Sequence, residues 1–352
     1  MTDLPGAHNA ITDVPGVRVG HYERIGDGWA TGTTVVLVDK GATPAVDTRG
    51  GAPGTRETSA LEPSTLVQRV HGVCLTGGSA YGLASADGVM RWLGERGIGL
   101  QVGAEPWQVV PLVPAAVLFD LPLSDWGNRP DAHFGYAACE AAADGLVAMG
   151  CVGAGTGATA GVLKGGIGTA STVVTDSCTV GVLLAMNACG ETVDQNTGLP
   201  WGASSEVNGE FGIGAPNAGE VAAARECLSA KPEPLNTTIG VVATDAALSK
   251  AECQRLAIAA HDGLARAVRP AHTMYDGDTF FVLATGGREL PTGSGHRYRT
   301  TETRPRELDR LCVAAADAVT RAVVHAMLAA VTISGKPAYR DLYPSAFRSA
   351  PK

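Results

Sequence analysis

From Ile239 onward the chain settles into an order of strand, helix, strand, helix, and this order restricts the fold more than any other feature. Ile239-Gly240-Val241-Val242-Ala243 reads as a strand. Ser249 and Glu252 have the spacing of a capping box, and behind them Cys253, Leu256, Ala257, Ala260, Leu264 and Val268 form one apolar stripe at helical spacing. Asp278 to Thr285 reads as a buried strand. A second helical stripe follows in Leu308, Leu311, Cys312, Ala315, Val319 and Ala322.

The upstream part is mixed as well. Gly72 to Thr76 reads as a short strand that meets Gly77-Gly78 and then a helix from Ser79 towards Trp92, the arrangement of an α/β unit. Val110 to Leu121 is a second apolar run, Asp131 to Ala143 a small-residue helix, and Val173-Val174 and Val180 to Met186 strands. Gly198 to Pro234, rich in Gly, Pro and polar residues with one Ala-rich helix candidate, reads as a linker or a processing loop. The 352 residues are 45% hydrophobic, enough for a large core, while 46 glycines and 20 prolines predict many tight turns and close backbone approaches.

A net charge of −8 without a Lys/Arg cluster argues against nucleic acid as a partner. No run approaches the ~20 apolar residues of a membrane span. Met1 to Gly6 has neither the basic region nor the apolar stretch of a signal peptide. The eight cysteines are scattered through apolar runs with no metal-ligand spacing, and read as small buried hydrophobes in a reducing compartment. The expectation is a cytoplasmic protein with no cofactor, no metal, and no nucleic-acid or membrane partner.

The junction Asn236-Thr237 lies between the loop Lys231-Pro232-Glu233-Pro234 and the strand from Ile239. If the chain breaks itself before Thr237, one residue acquires both a hydroxyl nucleophile and an α-amino group to serve as its base. That amine titrates near ~7.7–8.0, so a usable fraction accepts a proton at neutral pH. The same dipeptide is also ordinary strand-entry sequence.

Gly153 to Gly161 invites a phosphate-binding reading, but its spacing fits neither standard nucleotide motif; close backbone packing accounts for it better. Asp276-Gly277-Asp278 places two carboxylates at i and i+2, on one side of an extended segment, where they can hold an α-ammonium group or an attacking hydroxyl; the alternative is a plain Asp-Gly turn. Asn187, ending the strand Val180 to Met186, can donate an amide N–H to an oxyanion or cap a turn. His272 and His261 lack the nucleophile elbow that serine hydrolase chemistry needs, because Gly-x-Ser-x-Gly does not occur, so His272 reads as a hydrogen-bonded structural residue.

Ile11 to Val17, Leu75 to Leu83, Gly153 to Gly161, Asn236-Thr237-Thr238 and His272 to Thr279 together resemble the self-processing L-aminopeptidase/D-esterase (DmpA-like) family, which includes the β-aminopeptidases and the nylon-oligomer hydrolase. The resemblance runs through almost the whole chain. It implies an α+β fold, a four-layer αββα sandwich similar in layering to the N-terminal-nucleophile hydrolases but differently connected. It also implies one domain, residues 1–352, cleaved into 1–236 and 237–352, whose halves stay together in a homo-oligomer, a tetramer being favoured.

By the same resemblance Thr237 is the nucleophile, Asp276 and Asp278 the acidic pair beside it, and Asn187 the oxyanion-side asparagine. Two positions depart from the pattern. Many relatives carry lysine directly after the glycine equivalent to Gly161, where this chain has Val162; Lys164, on the same face if the strand alternates, is the candidate replacement. Phe119 falls where some relatives have tyrosine and has no hydroxyl to donate. The implied activity is hydrolysis of small peptides or aminoacyl amides and esters through an acyl-enzyme. The alternatives are an endo-type hydrolase of linear amide oligomers, an acyltransferase of the ornithine-acetyltransferase kind, and an inert small-molecule binding protein.

Overall fold

A computed structural model describes residues 4–174, 178–229, 235–291 and 303–347. The main strands are β1 (Val17–Gly26), β2 (Trp29–Thr48), β3 (Val70–Thr76), β4 (Ala115–Val117), β5 (Gly166–Val174), β6 (Cys178–Met186), β7 (Ile239–Ala246) and β8 (Thr279–Arg288). The helices are α1 (Ser85–Glu95), α2 (Ala132–Glu140), α3 (Ala218–Leu228), α4 (Lys250–Ala267), α5 (Thr303–Ala329) and α6 (Tyr339–Leu342).

The strands run in the order β5-β6-β7-β8-β2-β3-β4, with Thr55–Arg56 at the far edge and β1 paired to β2. The 20-residue β2 is the hinge of this order. Its first part pairs with β1 and β3, whereas Thr43 to Thr48 pair with β8, and the register with β3 shifts between Leu37 and Ala42. The strand therefore belongs to two sheets.

Side-chain alternation then builds the layers. On β6, Val182, Leu184 and Met186 join the core shared with α4 and α5, while Leu183 and Ala185 join Val36, Val73 and Leu75 in the core between the sheets. On β7, Val242 goes with the first group and Val241 and Ala243 with the second. A third core packs Val35, Leu37 and Cys74 against Ala86, Val89, Trp92 and Ala138 of α1 and α2. The order is helices, sheet, sheet, helices, the expected αββα sandwich.

The helix ends follow local chemistry. Ser249 and Glu252 form the anticipated capping box on α4, and Asp131 caps α2 by accepting from His133 and Phe134. From Arg304 to Ala329, α5 is long and apolar enough to cross a membrane, yet its Leu311, Ala315, Val319 and Ala322 are core residues against the sheet and α4. Two expectations need correction. Gly198 to Leu228 is no linker, because Phe211, Ile213, Val221, Ala224 and Leu228 are part of the α4/α5 core; the proposed loop Lys231–Pro234 lies outside the described residues. Of the apolar run Val110 to Leu121, only Ala115–Val117 joins the main sheet as a strand. Cys74, Cys139, Cys178 and Cys253 are buried as expected, but Cys151, Cys189, Cys227 and Cys312 are only partly so.

Candidate active site

Sheet register assembles the site. β7 pairs antiparallel with β6, Ile239 opposite Ala185, and the ladder runs on until Thr237 N donates to Asn187 O at 2.8 Å. On its other side β7 pairs parallel with β8, Ile239 beside Thr279, so that Thr238 lies next to Asp278. Thr237 thus enters the sheet between the end of one strand and the start of another. Positions 187, 237 and 278 are far apart in sequence and adjacent because of this pairing.

Thr237 is 5% exposed and lines a cavity of about 200 Å³ together with Ala52, Pro53, Phe119, Asn236 and Tyr275. Its backbone N–H is held by Asn187, and its Oγ1 donates to the carbonyl oxygen of Asn236, the residue it is peptide-bonded to. The Thr237 hydroxyl and the carbonyl of the preceding residue are therefore in hydrogen-bond contact.

Of the two carboxylates, Asp278 holds the backbone next to Thr237, and Asp276 holds Cys189 and its own turn. Asp278 accepts from Thr238 N at 2.9 Å with one oxygen, and from His272 N at 3.2 Å and His272 Nδ1 at 2.7 Å with the other. His272 adopts φ 57°, a left-handed conformation, and in it both its main chain and its ring reach the same oxygen. Burial raises the pKa of Asp278 above the usual carboxylate value, while the His272 hydrogen bond opposes that shift and the neighbouring Asp276 adds to it. Asp276 accepts from Cys189 N at 3.0 Å, Thr273 N at 3.0 Å and Thr273 Oγ1 at 2.5 Å. The pair does not converge on a shared partner as an extended segment would allow, because Asp276 closes a turn through its own N–H to Thr273 O. Gly50 (φ 91°) makes room for that turn: a Cβ there would lie 2.4 Å from Asp276 O.

Asn187 is fully buried; its Oδ1 accepts from Thr159 N at 2.8 Å, and its Nδ2 reaches Phe119 O at a long 3.4 Å. Thr159 also donates from Oγ1 to Asn236 Oδ1 at 3.2 Å, tying the glycine-rich loop to the junction. That role had no signal in the sequence beyond its place among glycines.

Lys164 sits elsewhere. Thr159 pairs with Lys164 and Ala160 with Leu163, so Gly161 (φ 57°) and Val162 form the turn of a hairpin and strand alternation does not carry through them. Its ammonium donates to the carbonyls of Gly155, Ala158 and Gly165 at 3.0, 2.7 and 3.0 Å. Burial lowers its pKa to about 8. Lys164 does not line the cavity. It fixes Ala158, the neighbour of the threonine that orients Asn187.

Sequence reasoning also missed Asp120. It is buried beside Phe119, accepting from Thr31 Oγ1 and Gly78 N at 2.6 Å each, and burial raises its pKa to about 6.

The profile of peptidase family S58 matches residues 9–340. The chain belongs to peptidase family S58. An uncharacterized aminopeptidase of Mycobacterium tuberculosis is 53% identical over 353 residues, covering 97% of this chain and 100% of its own length. A 6-aminohexanoate-oligomer endohydrolase of Kocuria sp. is 33% identical over 292 residues, 80% of this chain and 77% of that protein. Among solved structures, a Burkholderia sp. β-aminopeptidase superposes with TM-score 0.71 at 27% identity, covering 99% and 97% of the two chains. The L-aminopeptidase D-Ala-esterase/amidase of Ochrobactrum anthropi, described as a variant of the Ntn hydrolase fold, superposes with TM-score 0.70 at 25% identity, covering 94% and 88%. The S58 assignment makes this chain a peptidase, a hydrolase of the DmpA type.

Proposed function

We propose that this S58 peptidase is a self-cleaving amide hydrolase whose nucleophile is Thr237, acting on small peptides, amides and esters. The observation that carries the reading is the contact of Thr237 Oγ1 with the carbonyl oxygen of Asn236 at the wall of a cavity.

In self-cleavage the Oγ attacks the Asn236 carbonyl carbon, the C–N bond breaks, and the proton lost by the hydroxyl ends on the departing nitrogen. The resulting ester is hydrolysed by water, leaving Asn236 as a carboxylate and Thr237 with a free α-amine. In turnover that amine takes the hydroxyl proton while Oγ attacks a substrate carbonyl, and passes it to the leaving amine or alcohol. Water then releases the acyl group. Asn187, held by Thr159, supports the developing oxyanion; one such donor is typically worth ~2.7–4 kcal/mol. Asp278, through Thr238 N, keeps the first residues of β7 in line. The two fragments, 1–236 and 237–352, stay joined through the shared sheet and assemble as an oligomer.

Intact-mass measurement and amide hydrolysis of wild type, Thr237→Ala, Thr237→Ser and Thr238→Ala test this. Wild type and Thr238→Ala give two fragments and turnover, Thr237→Ser retains part of both, and Thr237→Ala gives one inert chain. Hydrolysis by Thr237→Ala would refute the mechanism.

A further inference from the structure

We infer that the Asn236 carboxamide, clamped between Thr159 and Cys189, positions the chain for self-cleavage, and that the Cys189 half of this clamp has no part in turnover. The inference rests on Thr237 being the nucleophile and concerns the uncut chain, the state from which self-cleavage starts. Asn236 is 2% exposed. Its Oδ1 accepts from Thr159 Oγ1 at 3.2 Å, and its Nδ2 donates to Cys189 Sγ at 3.5 Å. Its backbone N–H donates to Tyr275 O at 3.1 Å.

These contacts fix the main chain entering Asn236 and the side chain branching from it, while Thr237 N is held on the far side by Asn187 O at 2.8 Å. The peptide plane between the two residues, which carries the carbonyl to be cut, is left little freedom to turn. That restriction bears on the reaction. The Thr237 hydroxyl touches the carbonyl oxygen, whereas self-cleavage needs Oγ1 to add to the carbonyl carbon, with the C–N bond breaking and the hydroxyl proton passing to the departing nitrogen. Misplacing a reacting atom by about 1 Å can cost ~10²-fold in rate.

A buried carboxamide finds partners in any fold, but these two partners are themselves anchored to the site. Thr159 holds Asn187 Oδ1 through its own N–H at 2.8 Å, and the Cys189 N–H is held by Asp276 Oδ1 at 3.0 Å. The acidic pair thereby serves both sides of the nucleophile: Asp278 holds Thr238, the residue after it, and Asp276 holds Asn236, the residue before it, through Cys189. Cys189 is partly buried, and burial raises its pKa, so the group is a neutral thiol whose sulfur is a weak acceptor. After cleavage no bond joins Asn236 to Thr237, and what Cys189 does to Asn236 no longer reaches the hydroxyl.

Pulse-labelled cell-free synthesis of the full 352-residue chain, followed over time as it splits, tests the inference. Asn236→Ala should split roughly 10–100-fold more slowly than wild type and Cys189→Ala roughly 3–10-fold more slowly. Cys189→Ser, whose hydroxyl also accepts from the carboxamide, should split at close to the wild-type rate. Once processed, Cys189→Ala should show wild-type kcat/KM per cleaved chain on L-alanine p-nitroanilide or a 6-aminohexanoate oligomer, whichever wild type cleaves. A merely structural role for Cys189 would lower both rates together. Asn236→Ala or Cys189→Ala splitting as fast as wild type overturns the inference, and so does a Cys189→Ala turnover that falls as far as its splitting. Thr237→Ala that still splits, or a wild type that stays whole while hydrolysing amides, would instead overturn the assignment of the nucleophile.

Discussion

The Asp276–Asp278 turn and the glycine-rich loop 153–165 both hold irregular backbone against the start of β7, with buried charges of opposite sign. In the turn, the backbone groups that face inward are amides, those of Thr238, His272, Thr273 and Cys189, and carboxylates receive them. In the loop they are carbonyls, those of Gly155, Ala158 and Gly165, and one ammonium donates to all three. The sign of the buried charge follows from which end of the peptide dipole the chain path turns inward. Hydrogen bonds to an ionised partner are stronger than neutral ones, which offsets part of the cost of burial. The regions differ in their distance from Thr237. The turn touches the residue after Thr237, whereas the loop acts through Thr159 and Asn187.

If both regions serve to place one hydroxyl, removing that hydroxyl should leave them intact. Thr237→Ala is therefore expected to lose more than ~10³-fold in turnover with little change in Tm, by thermal unfolding and anilide assay side by side. A large fall in Tm would mean that Thr237 is part of the scaffold. Lys164→Met should show the reverse order. Gly155 O and Ala158 O keep a backbone N–H from Ala158 and Gly165, but Gly165 O loses the ammonium that serves it, and an unsatisfied carbonyl costs ~1–3 kcal/mol, so Tm should drop by roughly 5 °C before activity is considered. A Lys164→Met protein that melts like wild type would remove the loop from this comparison.

Asp278→Asn is expected to slow both self-cleavage and turnover by roughly 10–100-fold, because one amide oxygen still serves Thr238 while the new N–H₂ faces the His272 N–H. His272→Ala should cost less, roughly 3–10-fold, since Thr238 keeps its carboxylate. Equal rates for Asp278→Asn and wild type would reduce the turn to a folding element.

The smallest effect belongs to Asp120, which packs against Gly157 of the loop. Its pKa is raised from 3.8 to about 6, so between those values the folded protein keeps a proton that the unfolded chain has released. Stability attributable to Asp120 is thus greatest at low pH and falls as pH rises through that window. Asp120→Asn, with Thr31 rotating to accept the new amide, should flatten this slope in unfolding measurements at pH 4.5 and 7. An unchanged slope would show that Asp120 is ionised throughout.

Much of this was legible in the residues. The two helical stripes after Thr237 carry their own periodicity, and the capping box at Ser249 is local chemistry, so α4 and the apolar run of α5 could be read directly. Local patterns also marked Asn187, Thr237, Asp276 and Asp278 as chemically able. The bond from Thr159 to Asn187 was not legible, nor was the burial of Asp120 or the commitment of Lys164 to three carbonyls. Each depends on a turn, Gly161 above all, that breaks the alternation from which a side chain's direction is inferred.

The sequence by itself determined the kinds of element and the inventory of reactive groups, because periodicity, caps and side-chain pKa values are properties of short segments. Tertiary structure alone decided which groups meet. Antiparallel pairing of β6 with β7 and parallel pairing of β7 with β8 bring Asn187 to Thr237 and Asp278 to Thr238. Register is a relation between distant segments, set by burying the correct face of each strand, and no short stretch of the chain encodes it.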